Sequence, residues 1–153
     1  MNGPTALQSW GLHRPPVVQL YAKSGEIGIH TYTMRGKNKA NADSSEDRYF
    51  VDTISSFKGK WHDVIFHFDS TKLPTKLDAF VDGRVIFTDK VISDFQADKY
   101  FAKYGIYRPF TKKHTAMTGL PMPTAVVYFD EIRLGTSRSD VDPVLNKKLT
   151  PVD

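Results

Sequence analysis

Residues 100–108, Tyr-Phe-Ala-Lys-Tyr-Gly-Ile-Tyr-Arg, hold the densest set of groups able to do chemistry in this chain. Read as a strand, the stretch sends Ala102, Tyr104 and Ile106 toward a core and Lys103, Gly105 and Tyr107 to the opposite face. An amine and a phenol then flank a glycine that leaves the backbone bare, an open slot with a cationic rim that suits an anion. A cation beside a phenol stabilises the phenolate, so Tyr107 is a candidate acid–base group and Lys103 its charged neighbour. Arg108 falls on the other face and reads as structural.

Other titratable side chains stand in less specific surroundings. His30 and Tyr32 share one face of residues 26–34, opposite Ile27 and Ile29. His67 alternates with Phe66 and Phe68, as a partly buried sheet histidine or a substrate ligand would. His13 sits beside Arg14 and two prolines, as a loop residue would. Lys112, Lys113 and His114 make a basic segment that reads as solvated surface or as a contact for a polyanion. Asp43, Glu46 and Asp47 lack the regular oxygen-ligand spacing of a calcium loop. No phosphate-cradling glycine loop, nucleophile elbow or zinc motif is present. The expectation is that no cofactor is needed; calcium stays open as an alternative that the sequence does not indicate.

These groups need strands to position them. Residues 17–22 and 26–34 read as a hairpin around Lys23-Ser24-Gly25, residues 48–57 as a third strand, and 61–69 as a fourth. Asp82-Gly83 splits residues 76–87 into a second hairpin with a turn that requires positive φ. Residues 35–47 are polar and read as a mobile loop, and residues 109–123, with three prolines, as a long loop over one end of the sheet. Val126, Tyr128 and their neighbours make residues 124–135 the expected last strand. Seven to nine antiparallel strands with frequent turns and no amphipathic helix predict an all-β sandwich or jelly roll.

The 153 residues suit a single domain over residues 1–137, with residues 138–153 as a polar tail lying along the surface or disordered. Ten Phe, seven Tyr and two Trp tilt the chain toward β structure. A net charge of +4 is too mild to single out a polyanionic partner, and neither nucleic acid nor a membrane is expected. There is no cysteine, which fits a cytosolic protein and equally a secreted microbial one. The N-terminus lacks the charged and apolar regions of a signal peptide.

The order Trp61…Asp63…His67, Phe80-Val81-Asp82-Gly83, Lys103-Tyr104-Gly105-Ile106-Tyr107-Arg108 and Tyr128-Phe129-Asp130-Glu131-Ile132-Arg133-Leu134-Gly135 resembles the jelly-roll polysaccharide lyases. The likeness is nearest to the glucuronan lyase family (polysaccharide lyase family 20) and its heparin lyase I relatives. The alginate lyases of polysaccharide lyase family 7 share the Lys-x-Gly-x-Tyr strand more distantly. The resemblance covers most of residues 8–135 and rests chiefly on that strand, since Val-Asp-Gly hairpins also occur in lectin-like sandwiches.

It implies a concanavalin-A-like antiparallel β-sandwich that holds a uronic-acid polysaccharide across a concave sheet and cleaves it by β-elimination, in a secreted or extracellular setting. It places Tyr107 where the family has its catalytic tyrosine and Lys103 where a substrate-contacting lysine lies. Gln8, in Leu7-Gln8-Ser9-Trp10, resembles the glutamine that helps neutralise the uronate carboxylate. His30 and His13 are the candidates for the catalytic histidine; Tyr32, His67 and Lys112 are further candidates for substrate contacts. Such sandwiches usually run to roughly 200–250 residues, so the opening strands are expected to be missing. Two alternatives stay open: a lectin-like domain that binds carbohydrate without cleaving it, and an inactive remnant whose uncovered sheet edges pair with a second copy.

Overall fold

The computed structural model describes residues 2–9, 16–36, 43–95, 100–108 and 111–149. Eight strands form one curled sheet: β1 Asn2–Ser9, β2 Val18–Lys23, β3 Glu26–Arg35, β4 Asp43–Thr53, β5 Val64–Asp69, β6 Thr75–Val81, β7 Arg84–Ser93 and β8 Tyr100–Tyr104. Their order is β5-β6-β7-β3-β2-β1-β8, with β4 pairing β3 as a branch. The chain is all-β, in keeping with the jelly-roll class expected. Pairing is antiparallel except at the corner, where β7 meets β3 in parallel at Met34 and Ser93. There β7 takes up the side of β3 that β2 vacates, and Thr33 donates its hydroxyl to the Val91 carbonyl oxygen at 3.0 Å.

Local sequence explains both hairpins. Ser24 and Gly25 have φ of 55° and 86°, and Asp82 and Gly83 have 52° and 73°. Positive φ at both central residues matches the right-handed twist of the strands that the turn joins. Alternation in β3 sends Ile27, Ile29, Thr31 and Thr33 into the interior, where they meet Val17, Val18, Leu20 and Val51 from one side of the fold. Leu77, Ala79, Val81, Phe87 and Ile92 from β6 and β7 complete the same apolar cluster. The β5–β7 unit thus closes over the β2–β4 unit, and Arg84 reinforces the closure by donating to the Val51 carbonyl oxygen at 2.9 Å.

Four segments differ from the sequence expectation. The polar run expected as a loop contains the start of β4, which pairs with β3 almost residue for residue from Arg35–Asp43 to Glu26–Thr53. Ser44, Ser45 and Glu46 are exposed, so this part of β4 needs no apolar alternation. Residues 54–57, expected to continue the strand, turn instead into the short helix α1, Ile54–Phe57, which Thr53 caps by accepting the Ser56 amide. The proline-rich loop contains α2, Thr111–Thr118.

Residues 124–135 have no regular secondary structure and belong to no ladder. Glu131 takes φ 50°, and Arg133 folds back onto its carboxylate at 2.7 Å, which together break the pleat. Residues 136–149 lie against the β6–β7 hairpin. The Arg138 guanidinium stands 3.6 Å above the Phe80 ring, and the fully buried Asp142 accepts from Arg138 Nε at 2.6 Å. Among the described residues no helix is long and apolar enough to cross a membrane.

Candidate functional site

Strand register brings the chemically capable residues together. On β2 and β3, Gln19 pairs with His30; on β3 and β4, His30 pairs with Arg48. On the other side Gln19 faces Ala6 of β1, and Ala6 faces Lys103 of β8. Directly paired residues project on the same side of a sheet, so an amine, an amide, an imidazole and a guanidinium occupy one cross-strand level. Phe50, two residues beyond Arg48 on the same face, is exposed.

His30 is the centre of this row and is 5% exposed. Gln19 Nε2 stands 3.2 Å from its Nδ1, and the Tyr32 ring leans on it with centroids 4.4 Å apart. Tyr21 meets it edge-on at 6.2 Å. The Tyr21 ring has room because residue 28 is glycine: a β-carbon there would lie 2.6 Å from the Tyr21 hydroxyl oxygen. With the Gln19 amide donating, Nδ1 accepts and the ring proton sits on Nε2. With the amide rotated, Nδ1 donates to its carbonyl and Nε2 carries the lone pair.

Glu46 closes the other end of His30. Its Oε2 lies 3.2 Å from His30 Nε2, within ion-pair range but off the line a hydrogen bond needs, and Nε2 is sealed from solvent with no aligned partner. The same carboxylate accepts from the Tyr32 hydroxyl and, through Oε1, from Arg48 Nη2 at 3.0 Å. Burial depresses the His30 pKa most; Glu46 raises it and Arg48 lowers it, leaving the group below its ordinary value of 6.5. Burial, with the Glu46 charge and hydrogen bond, raises the Tyr32 pKa. A neutral imidazole next to a donor-rich row is equipped to remove a proton from a ligand that an amide and cations hold.

The expected residues are distributed unevenly. His30 and Tyr32 lie in the site, and Lys103 is at its register level. Gln8 pairs through its backbone with Phe101, two residues along β1 from Ala6. β8 ends at Tyr104, Gly105 takes φ 133°, and Tyr107 occupies an exposed bridge position beyond the strand. The pleat expected to run unbroken from Lys103 to Tyr107 therefore stops at Gly105. Ala102, Tyr104 and Ile106, expected in the core, are exposed; the Tyr104 ring approaches Phe129 at 5.8 Å. His67 is on β5, three strands from β3, where its Nδ1 contacts Asp78 at 2.8 Å. Lys112 is exposed on α2. His13 lies outside the described residues.

Gln19, Tyr21 and Arg48 were not singled out from sequence, and Glu46 was weighed there only as a calcium ligand. Gln19 was the one signal available, a polar residue inside the apolar run Val17-Val18-Gln19-Leu20 whose burial demands a partner.

A family model described as Polysaccharide lyase matches residues 8–133, which takes in the last two residues of β1, all of β2 to β8 and most of the segment after α2. The chain belongs to the polysaccharide lyase family. Neither the search of curated proteins nor that of solved structures gave a match. In this lyase-family chain the four side chains of the row, Lys103, Gln19, His30 and Arg48, lie inside the matched region, and Ala6, which links Lys103 to Gln19, lies just before it.

Proposed function

We propose that this chain cleaves a uronic-acid-containing polysaccharide of the glucuronan type by β-elimination, acting outside the cell. The observation that carries the reading is the single register level holding Lys103, Gln19, His30 and Arg48, with a depressed pKa at its imidazole. The proton beside a uronate carboxylate is very weakly acidic until that carboxylate is neutralised and its enolate-like form stabilised. Arg48, Lys103 and the Gln19 amide are donors of the right kind. His30 takes the proton from the carbon next to the carboxylate. The electron pair of that C–H bond becomes the new carbon–carbon double bond, the bond to the 4-linked oxygen breaks, and Tyr107 gives that oxygen a proton.

The test is incubation with glucuronan, alginate and heparin while following the ultraviolet absorbance of the unsaturated product. A rise with glucuronan that H30A and Y107F abolish supports the reading. The sealed state of His30 Nε2 favours a second reading, a carbohydrate-binding domain that holds the polymer without cleaving it. Measurable binding with no absorbance rise assigns that one.

A further inference from the structure

Three donors converge on Glu46. Arg48 Nη2 reaches Oε1 at 3.0 Å, His30 Nε2 lies 3.2 Å from Oε2, and the Tyr32 hydroxyl donates to the same group. Nothing in the packing of the sheet demands this carboxylate. Its side chain is half exposed, on a stretch of β4 whose neighbours Ser44 and Ser45 are exposed too. It nevertheless stands against His30 Nε2, which is shut off from solvent. A uronate lying across the row would bring another carboxylate to the same donors. Both cannot be held there at once, because two carboxylates in one site repel and share too few donors.

We propose that Glu46 is a built-in stand-in for the substrate's uronate carboxylate, holding Arg48 and covering His30 Nε2 and the Tyr32 hydroxyl in the free protein until the polymer displaces it. This deepens the polyuronide reading and rests on it. β4 itself stays fixed when Glu46 leaves. Asp47 on its inner side is tied to Lys90 of β7 at 2.5 Å, and the backbone ladder to β3 continues on both sides of Glu46. Only a side chain swings, from a site lined by donors to open water. Polymers without carboxylates gain no donor by displacing it, so the device also discriminates against neutral glycans.

The experiment is calorimetric binding of a glucuronate oligomer and of a neutral glucose oligomer of equal length to the full chain and to E46Q. The substitution keeps shape and removes charge. E46Q is expected to bind the glucuronate oligomer about two- to fivefold more tightly, the worth of releasing one half-exposed ion pair, with the neutral oligomer unchanged. Equal or weaker binding of the glucuronate oligomer, or no binding of it by either protein, overturns the proposal.

Modification of His30 by diethyl pyrocarbonate, located by peptide mass, supplies a second readout. E46D, one methylene shorter, should be modified faster than the unchanged chain, and equal rates count against the stand-in. The two readings fail separately. A gain in uronate affinity without any unsaturated product retires the lyase and leaves the stand-in; product without the gain does the reverse.

Discussion

Tyr21 lies across Gly28, so close that a β-carbon at position 28 would stand 2.6 Å from its hydroxyl oxygen and 2.6 Å from the Tyr49 carbonyl oxygen. The first neighbour is the end of a side chain and the second is backbone of β4, which cannot give way alone. G28A is therefore expected to cost about 1–3 kcal/mol, as overpacked cores do. Urea unfolding of G28A measures it. The double variant Y21A/G28A should recover only part of the loss, because the clash with β4 remains; full recovery would show that the tyrosine alone sets the constraint.

Gln19 fixes the orientation of His30, and both are buried. Under the proposed chemistry H30A lowers kcat by about a hundred- to ten-thousandfold, the usual contribution of a positioned acid–base group. Q19A leaves His30 Nδ1 buried without its partner, at a cost of about 1–3 kcal/mol in stability, and lowers kcat by freeing the ring to turn. Steady-state kinetics beside urea midpoints separates the two effects. An unfolding midpoint and kcat both unchanged in Q19A would mean that the 3.2 Å contact holds nothing.

How much of this was legible in the sequence depended on whether pairing is local. The β2–β3 and β6–β7 hairpins were readable because each turn fixes its own register through Ser24-Gly25 and Asp82-Gly83. With β3 in place, the shared face of His30 and Tyr32 followed from alternation alone. Glu46 and Arg48 were not readable as site residues, since their level is set by β4 pairing across residues 36–42, a polar segment with no periodic signal. The converse holds at residues 124–135. Val126, Tyr128 and Leu134 carry a strand-like pattern, yet whether a partner edge lies beside them is a property of the whole sheet. In the structure these three are exposed. At β8 the strand itself was legible as far as Tyr104, and the positive φ of Gly105 turns Ile106 and Tyr107 out of its pleat.

Burial holds His30 below the ordinary value of 6.5, so the folded chain takes up that proton less readily than the unfolded chain. As pH falls through 6.5 the unfolded state gains the proton first. Stability therefore declines across the window between 6.5 and the folded value, then levels off below it. H30Q should lack this part of the slope when urea midpoints are compared over the same range. The same shift moves the acidic limb of kcat/KM for any His30-dependent elimination below 6.5. A proton NMR titration of the ring that gave a midpoint at or above 6.5 would contradict both expectations.

The C-terminal segment meets the β6–β7 hairpin through Arg138, which also pairs with Asp142 of its own turn. Asp142 is fully buried; its Oδ2 accepts from Arg138 Nε at 2.6 Å and its Oδ1 from the Val144 amide at 2.8 Å. The Arg138 guanidinium also covers Phe80, whose strand carries the Asp82-Gly83 turn. Removing only the cation strands a carboxylate in a dry place, which typically costs about 3–5 kcal/mol when the partner is lost outright. Arg138 is about a quarter exposed, so water relieves part of that, and R138A is expected toward the lower end. R138M keeps the apolar contact with Phe80 and loses the charge, so it isolates the electrostatic share. D142N/R138M removes both charges and should be more stable than R138M alone. Thermal unfolding of the three variants decides it: if R138M matches the unchanged chain, Asp142 is held by the Val144 amide and the ion pair contributes nothing.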